Sequence, residues 1–167
     1  CIRDSDKATQ LLEHVGMNSG HFNQYPHELS GGQLQRVGIA RAIALNPKMV
    51  VADEPVSALD VSIQAQIINL MMDFREKMGI AFLFISHDMS IVEYFCDRVA
   101  VMYLGKIVEI ASSEEIYKRP EHPYTEALLN AIPGLDSAKK KQKLKVRGDI
   151  PDPSNPPKGC SFNTRCP

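Results

Sequence analysis

The chain is short of several things at once: a surplus of either charge, a long apolar run, an internal repeat, and cysteines in a disulfide-like framework. A formal net charge of -1 and a pI near 6.6 supply no global field that would draw a polyanion, so any anion site must be local. The longest apolar stretches, Ile80 to Ile85 and Val99 to Met102, fall far short of the roughly 20 residues that a membrane-spanning helix needs. Four cysteines stand at positions 1, 96, 160 and 166 with no signal-like segment ahead of them, which fits a reducing compartment and makes the cytosol the default. The first residue is Cys1 and the last is Pro167, so both ends read as cut, and a fragment is expected. What is present is 167 residues, about one domain's worth, with 44% hydrophobic content, enough for a real core.

Ala8, Leu11, Leu12 and Val15 recur at helical spacing before Gly16, predicting a short amphipathic helix followed by a polar loop from Asn18 to Pro26. A second helix is expected from about Gly32 to Leu45. Its apolar residues Leu34, Val37, Ile39, Ile43 and Leu45 spread beyond one face, which predicts a mostly buried helix. Met49 to Ala52 is a continuous apolar run, read as a strand covered on both faces, and it ends in Asp53 and Glu54. Ile63, Ile67, Leu70, Met71, Phe74 and Met78 mark one face of a long helix, with Asp60 as N-cap and Gly79 as its stop. Ile80 to Ile85 is the next buried strand. The strand, helix, strand order calls for a parallel sheet in a layered α/β protein. A short helix around Ser90 to Phe95 follows, with Cys96 expected in apolar packing. Then come two strands, Arg98 to Tyr103 and Lys106 to Ala111, joined at Leu104-Gly105. Ser112 with Glu115 forms a capping box, and Pro123 opens a helix to about Ala131. Order is expected to weaken from Pro133. Lys139, Lys140, Lys141, Lys143, Lys145 and Arg147 form a basic run read as a solvated linker, and Pro151 to Pro157 should be extended.

Three places carry chemistry. Leu29-Ser30-Gly31-Gly32-Gln33 sets a hydroxyl and two glycines before a helix, where backbone approach and free N–H groups suit an anion; a Ser N-cap with a flexible turn gives the same pattern. Asp53 and Glu54 stand at the carboxyl end of a strand, where open α/β sheets bind ligands. One carboxylate can serve Mg²⁺ and the other the attacking water of phosphoryl transfer, while strand-end carboxylates also simply cap loops. Ser86-His87-Asp88 follows the second strand and brings an imidazole to the same sheet edge, either as a phosphate donor or as a solvated loop residue.

LSGGQ at 29 to 33, VVADEP at 50 to 55, SALD at 57 to 60 and ISHD at 85 to 88 resemble, in order and spacing, the signature, Walker B, D-loop and H-loop motifs of ABC ATPases. The resemblance implies an α/β fold, the C-terminal part of an ABC-type P-loop NTPase domain with a layered parallel sheet, a helical subdomain and an irregular C-terminal extension. It implies ATP and Mg²⁺ as cofactors, with Asp53 serving Mg²⁺, Glu54 as catalytic base, and His87 contacting the γ-phosphate and supporting Glu54. Ser30, Gly31, Gly32 and Gln33 would close on ATP held by a partner ATPase subunit, identical or different, and Asp60 would act across the same interface. No G-x-x-x-x-G-K-[ST] string occurs, so the loop that cradles phosphates is expected upstream of Cys1, and the chain alone is expected to fold at best partly and to hydrolyse ATP poorly.

Gly105-Lys106-Ile107-Val108-Glu109, His122-Pro123-Tyr124-Thr125, and Asn155 to Pro167 are similar to the extension of oligopeptide and dipeptide importer ATPases, a group that includes nickel and glutathione importers. This divides the chain into a partial ATPase domain, residues 1–111, and an extension, residues 112–167. Within the first, 1–47 would be the helical and signature region and 48–111 the core with its edge strands. The implied function is an ATPase that energises peptide import from the cytoplasmic face of the membrane, bound to permease subunits and indirectly to an extracytoplasmic peptide-binding protein, with no nucleic acid. A soluble ABC ATPase acting on ribosomes or DNA, or a metal-binding or scaffolding module with idle motifs, are the alternatives. Cys160 and Cys166 alone cannot complete a zinc or iron–sulfur site; the resemblance allows them to be part of an iron–sulfur cluster in a longer parent.

Overall fold

A computed structural model describes residues 2–132, 146 and 148–167; Cys1 and the basic residues from Lys139 to Arg147 lie outside the described residues. The chain divides into two compact units, Cys1–His87 and Asp88–Pro167.

In the first unit, helix α1 (Ile2–His14) ends as its sequence directs. Gly16 takes φ +75°, its N–H bonds to Glu13 O, and Met17 N–H reaches back to Leu12 O, which is a Schellman closure. Val15 and Met17 are thereby buried. The expected polar loop is more ordered than its composition suggests: 3₁₀ turns occupy Ser19–Asn23 and Pro26–Glu28, the second closed by Tyr25 N–H donating to Glu28 Oε2 at 2.7 Å. Helix α2 (Gly31–Ile43) buries only Ile39, Ala40 and Ile43. Leu34 and Leu45 are exposed, so the expectation of a mostly buried helix is corrected. A wide apolar distribution shows that a helix has more apolar surface than one stripe, but not that each side of it meets a neighbour.

Strand β1 (Met49–Asp53), helix α3 (Val61–Met78) and strand β2 (Ala81–Ile85) form a parallel β-α-β unit, paired from Met49↔Ala81 to Asp53↔Ile85. Ile67, Ile68, Met71 and Phe74 form the buried stripe of α3, and Gly79, at φ +65°, stops it. Asp60 is the N-cap residue as expected, although its side chain makes no capping hydrogen bond. The two strands are not covered on both faces. Met49, Val51, Leu83 and Ile85 share one face, with Val51 and Leu83 directly paired, and are 45–59% exposed. Continuous apolar runs encode apolar surface on both faces, and among the described residues of this unit the helices cover one.

In the second unit, Asp88 Oδ1 accepts from Ser90 N–H at 2.9 Å and starts helix α4 (Met89–Phe95). Cys96 caps its end and is half-buried rather than packed away. Strands β3 (Arg98–Tyr103) and β4 (Lys106–Ser112) pair antiparallel through a two-residue turn in which Leu104 and Gly105 both have positive φ, 46° and 74°, as a type I′ hairpin requires. The Ser112–Glu115 capping box opens helix α5 (Ser113–Lys118), and Pro123 sits at the start of helix α6 (Pro123–Asn130). Residues 148–167 contain turns but no helix or strand.

Two contacts hold this extension together. The Glu109 carboxylate on β4 accepts the backbone N–H of Glu121 at 2.8 Å and of His122 at 3.1 Å, tying the hairpin to the start of α6. Burial by itself would push this carboxyl up, but the Glu121 amide, the Thr125 side chain, and the amide and ring of His122 together hold it below the usual carboxylate range. Phe162 is buried with its ring edge-on to Tyr103 at 5.3 Å and tilted against Tyr124 at 5.5 Å, giving the irregular tail an aromatic anchor. Burial raises the Tyr124 hydroxyl in the same cluster.

Candidate functional site

The first unit carries two groups of polar residues, one at the end of β1 and one at the start of α2. At the end of β1 the chain turns sharply. Glu54 N–H still completes the parallel ladder by bonding Ile85 O at 2.9 Å, but Glu54 adopts φ +47°, a left-handed conformation that costs a non-glycine residue about 1–2 kcal/mol. The following loop holds it there. Ser57 donates both its Oγ–H, at 3.1 Å, and its N–H, at 3.4 Å, to Glu54 O, while Gln64 of α3 anchors the loop through Val56 O at 3.0 Å. The strained turn breaks the strand's alternation and delivers the Glu54 side chain to the edge where β2 ends. There His87 Nδ1 lies 2.8 Å from Glu54 Oε1. Both side chains are open to solvent, with Glu54 38% and His87 78% exposed, so a water or a ligand oxygen can reach the pair.

Asp53 is the last residue of β1 and is exposed beside Glu54. A cavity of about 270 Å³ opens here, lined by Gly38, Ile39 and Ala42 of α2, by Asp53 and Glu54, and by Met71 of α3. A strand-end carboxylate with open coordination positions suits Mg²⁺, which keeps several waters and needs only one or two protein oxygens. Chemically, the arrangement offers a carboxylate for the metal, a second oriented by an imidazole for a nucleophilic water, and room beside them.

The second group begins with Ser30, N-cap of α2. Its Oγ accepts from Gln33 N–H at 3.3 Å, and Gln33 Oε1 accepts from Ser30 N–H at 2.8 Å, a reciprocal capping box. Both glycines have close neighbours, for unequal reasons. A Cβ on Gly32 would lie 2.7 Å from Ile63 Cγ2 on the first turn of α3, whereas one on Gly31 would meet Leu59 Cδ2 at an ordinary 3.4 Å. Gly32 is therefore required by helix packing, a role that the sequence pattern alone did not reveal. Arg36, one turn further along α2, donates to Gln66 Oε1 at 3.0 Å and to Val15 O at 2.5 Å, joining α1, α2 and α3. Sequence reasoning passed over Arg36; an arginine just inside a buried stripe is the signal that would have marked it. Asp60 holds the start of α3 through its carbonyl, which accepts from Ile63 and Gln64 N–H at 2.9 and 2.8 Å.

Cys160 and Cys166, in the second unit, are exposed thiols not joined to each other. Among the described residues no three His, Cys, Asp or Glu side chains converge as metal ligands. Two thiolates would fill half of the four-ligand set of an iron–sulfur cluster, so the residues present do not fit one. The adjoining positions carry the structural weight instead: Ser161 and Phe162 are buried.

Comparison with known proteins finds matches for both parts of the chain. Residues 3–57 match the ABC transporter family, and residues 108–167 match the oligopeptide/dipeptide transporter C-terminal region. A putative peptide import ATP-binding protein of Brucella ovis is 59% identical over 97% of this chain and 51% of its own length. The oligopeptide transport ATP-binding protein AppF of Bacillus subtilis is 53% identical over 98% of this chain and 50% of its own. The dipeptide transport ATP-binding protein DppF of Escherichia coli is 50% identical over 96% and 48%. The chain thus spans about half the length of the curated relatives it matches. Among solved structures, an ATP-binding cassette of an ABC transporter in its ADP conformation superposes with a TM-score of 0.65 at 34% identity, covering 76% of this chain and 50% of that one. A dimeric cassette in a post-hydrolysis state bound to ADP and Pi gives 0.57 at 30% identity, covering 65% and 46%. The mixed α/β architecture with its small parallel sheet is that of part of a P-loop NTPase domain.

Proposed function

We propose, from the match of residues 3–57 to the ABC transporter family and of residues 108–167 to the oligopeptide/dipeptide transporter C-terminal region, that the chain is part of an ATP-hydrolysing subunit that energises import of oligopeptides or dipeptides. The observation that carries this reading is the Glu54–His87 hydrogen bond at the carboxyl end of a parallel strand pair, in a chain whose tail is of the peptide-importer kind.

ATP with Mg²⁺ supplies the terminal phosphoryl group and the charge neutralisation its transfer needs. Asp53 would hold the metal. Glu54 would take the proton of the attacking water, its carboxylate presented by the αL turn and held by His87. His87 orients Glu54 through Nδ1–H. A contact from its Nε2 to a phosphate oxygen would need a second ring N–H there. Ser30, Gly31, Gly32 and Gln33 serve the nucleotide of a second ATPase subunit, with the Ser30 hydroxyl and the first amides of α2 directed at its terminal phosphate. Asp60 acts at the same subunit interface.

No helix among the described residues is long and apolar enough to cross a membrane. By the peptide-importer reading, the chain sits at the cytoplasmic face, held there by permease subunits, with the transported peptide delivered by an extracytoplasmic binding protein. Cells lacking this subunit should lose uptake of a labelled di- or oligopeptide, and the tagged subunit should bring down a permease from solubilised membranes. Intact uptake, with ribosomes or DNA recovered instead, would overturn the assignment.

A further inference from the structure

His21 makes a contact that nothing in the reaction outlined above uses. It sits half-buried in the 3₁₀ turn Ser19–Asn23, with Nε2 3.0 Å from Gln33 Nε2. Two nitrogens share a hydrogen bond only if one brings the proton and the other a lone pair. Gln33 Oε1 is identified by its partner, because the Ser30 backbone N–H at 2.8 Å can only donate. The NH₂ end of Gln33 consequently faces His21, and His21 Nε2 must accept. The other ring nitrogen, Nδ1, stands 3.2 Å from Asn18 O, which can only accept, so Nδ1 carries the ring proton. Asn18 also fixes the turn that presents His21, its Oδ1 accepting from Gly20 N–H at 3.1 Å.

The result is a directed chain: His21 Nδ1–H to Asn18 O, Gln33 Nε2–H to His21 Nε2, Ser30 N–H to Gln33 Oε1, and Gln33 N–H to Ser30 Oγ. Each link leaves only one arrangement for the next. We propose that His21 is a positioning residue for the Ser30–Gln33 segment: as the neutral Nδ1–H tautomer it clamps Gln33 in its capping rotamer and thereby holds Ser30 Oγ and the first amides of α2 in place for the terminal phosphate on a partner subunit.

The physical need is clear from Gln33 itself. Its side chain has three rotatable bonds, and loss of the His21 acceptor frees the carboxamide to leave the cap or to swing into the space that the phosphate must enter. Ser30 N–H then loses its acceptor, and the turn before α2 loosens. Because the segment serves the nucleotide of the partner subunit, the effect belongs to the rate of the closed dimer and not to ATP affinity at the chain's own site.

The inference rests on reading residues 29–33 as the ABC signature, and its test separates the two. In the full chain assembled with its partner, His21→Leu should lower kcat for ATP about fivefold, the worth of one ordinary hydrogen bond, with KM unchanged. His21→Gln, whose Oε1 reaches the position of Nε2, should restore the rate. Nitrogen-15 NMR of the His21 ring should show a protonated Nδ1 and a bare Nε2. A His21→Leu protein as fast as the unsubstituted one, a His21→Gln protein as slow as His21→Leu, or an Nε2–H tautomer would each overturn the proposal. If His21→Leu does not fold, the His21→Gln rate and the tautomer still decide it. Glu54→Gln run alongside reports on the parent reading: should it turn over ATP at the unsubstituted rate, that reading fails, and the tautomer alone then judges the hydrogen-bond chain.

Discussion

Replacing Gly32 by alanine isolates what the structure adds to a glycine pair that looks uniform in sequence. The new Cβ would lie 2.7 Å from Ile63 Cγ2, while carbon atoms pack at about 3.5–4.0 Å, so α2 and the first turn of α3 must part by about 1 Å. Overpacking of this kind costs about 1–3 kcal/mol. Alanine's better helix propensity returns up to about 1 kcal/mol. The net expectation is a loss of about 1–2 kcal/mol, read as a lower urea midpoint with an unchanged m-value. Gly31→Ala meets Leu59 Cδ2 at 3.4 Å, an ordinary contact, and should be neutral or slightly stabilising. Ile63→Ala removes the clashing methyl, so the double substitution Gly32→Ala/Ile63→Ala should be more stable than the sum of the singles by about 1 kcal/mol. Equal effects of alanine at 31 and 32, or a fully additive double substitution, would refute the packing role and leave both glycines with phosphate approach alone.

In the second unit, Glu109→Gln keeps one acceptor for the Glu121 and His122 amides but loses the charge, and should destabilise the extension by roughly 1–2 kcal/mol. The native carboxylate has a pH signature: because its folded pKa is depressed, its contribution is fully present above the ordinary value of about 4.3 and is lost as pH falls through the folded value. Acid titration of stability should therefore differ between the native chain and Glu109→Gln below that value and run parallel above it. Phe162→Ala empties the aromatic cluster of a side chain that is 1% exposed, and should cost about 3–5 kcal/mol with faster amide exchange in α6. Native-like protection in that variant would remove Phe162 as the anchor of the tail.

The elements were legible in the sequence because their signals are local. Apolar spacing marked α3, Gly16 and Gly79 marked helix ends, the Ser112–Glu115 box marked the start of α5, and Leu104-Gly105 marked the hairpin. The two strands and the carboxylates closing the first were equally readable, as was the arrival of His87 at the same edge. Coverage was not. Alternation and apolar content say which atoms avoid water, whereas burial depends on which elements are there to meet them, and so α2, β1 and β2 were assigned more cover than the described residues give. The closeness of Gly32 to Ile63 and the Gln33–His21 hydrogen bond join residues 12 or more apart in sequence, and the positive φ of Glu54 depends on loop hydrogen bonds; none of the three has a periodic signature. In the tail, two cysteines drew attention away from Phe162, whose aromatic ring in a Pro-rich, otherwise polar segment was the cue to an anchor.

The central claim is that Glu54, held by His87 at the end of β1, is the base for ATP hydrolysis. It is tested most directly by single-turnover hydrolysis of ATP in the assembled subunit carrying Glu54→Gln, with nucleotide binding and dimer formation followed on the same sample. The account predicts that ATP is bound and the dimer forms, while the chemical step slows by at least about a hundredfold, as loss of a general base does. Hydrolysis at the unsubstituted rate with nucleotide bound would contradict it.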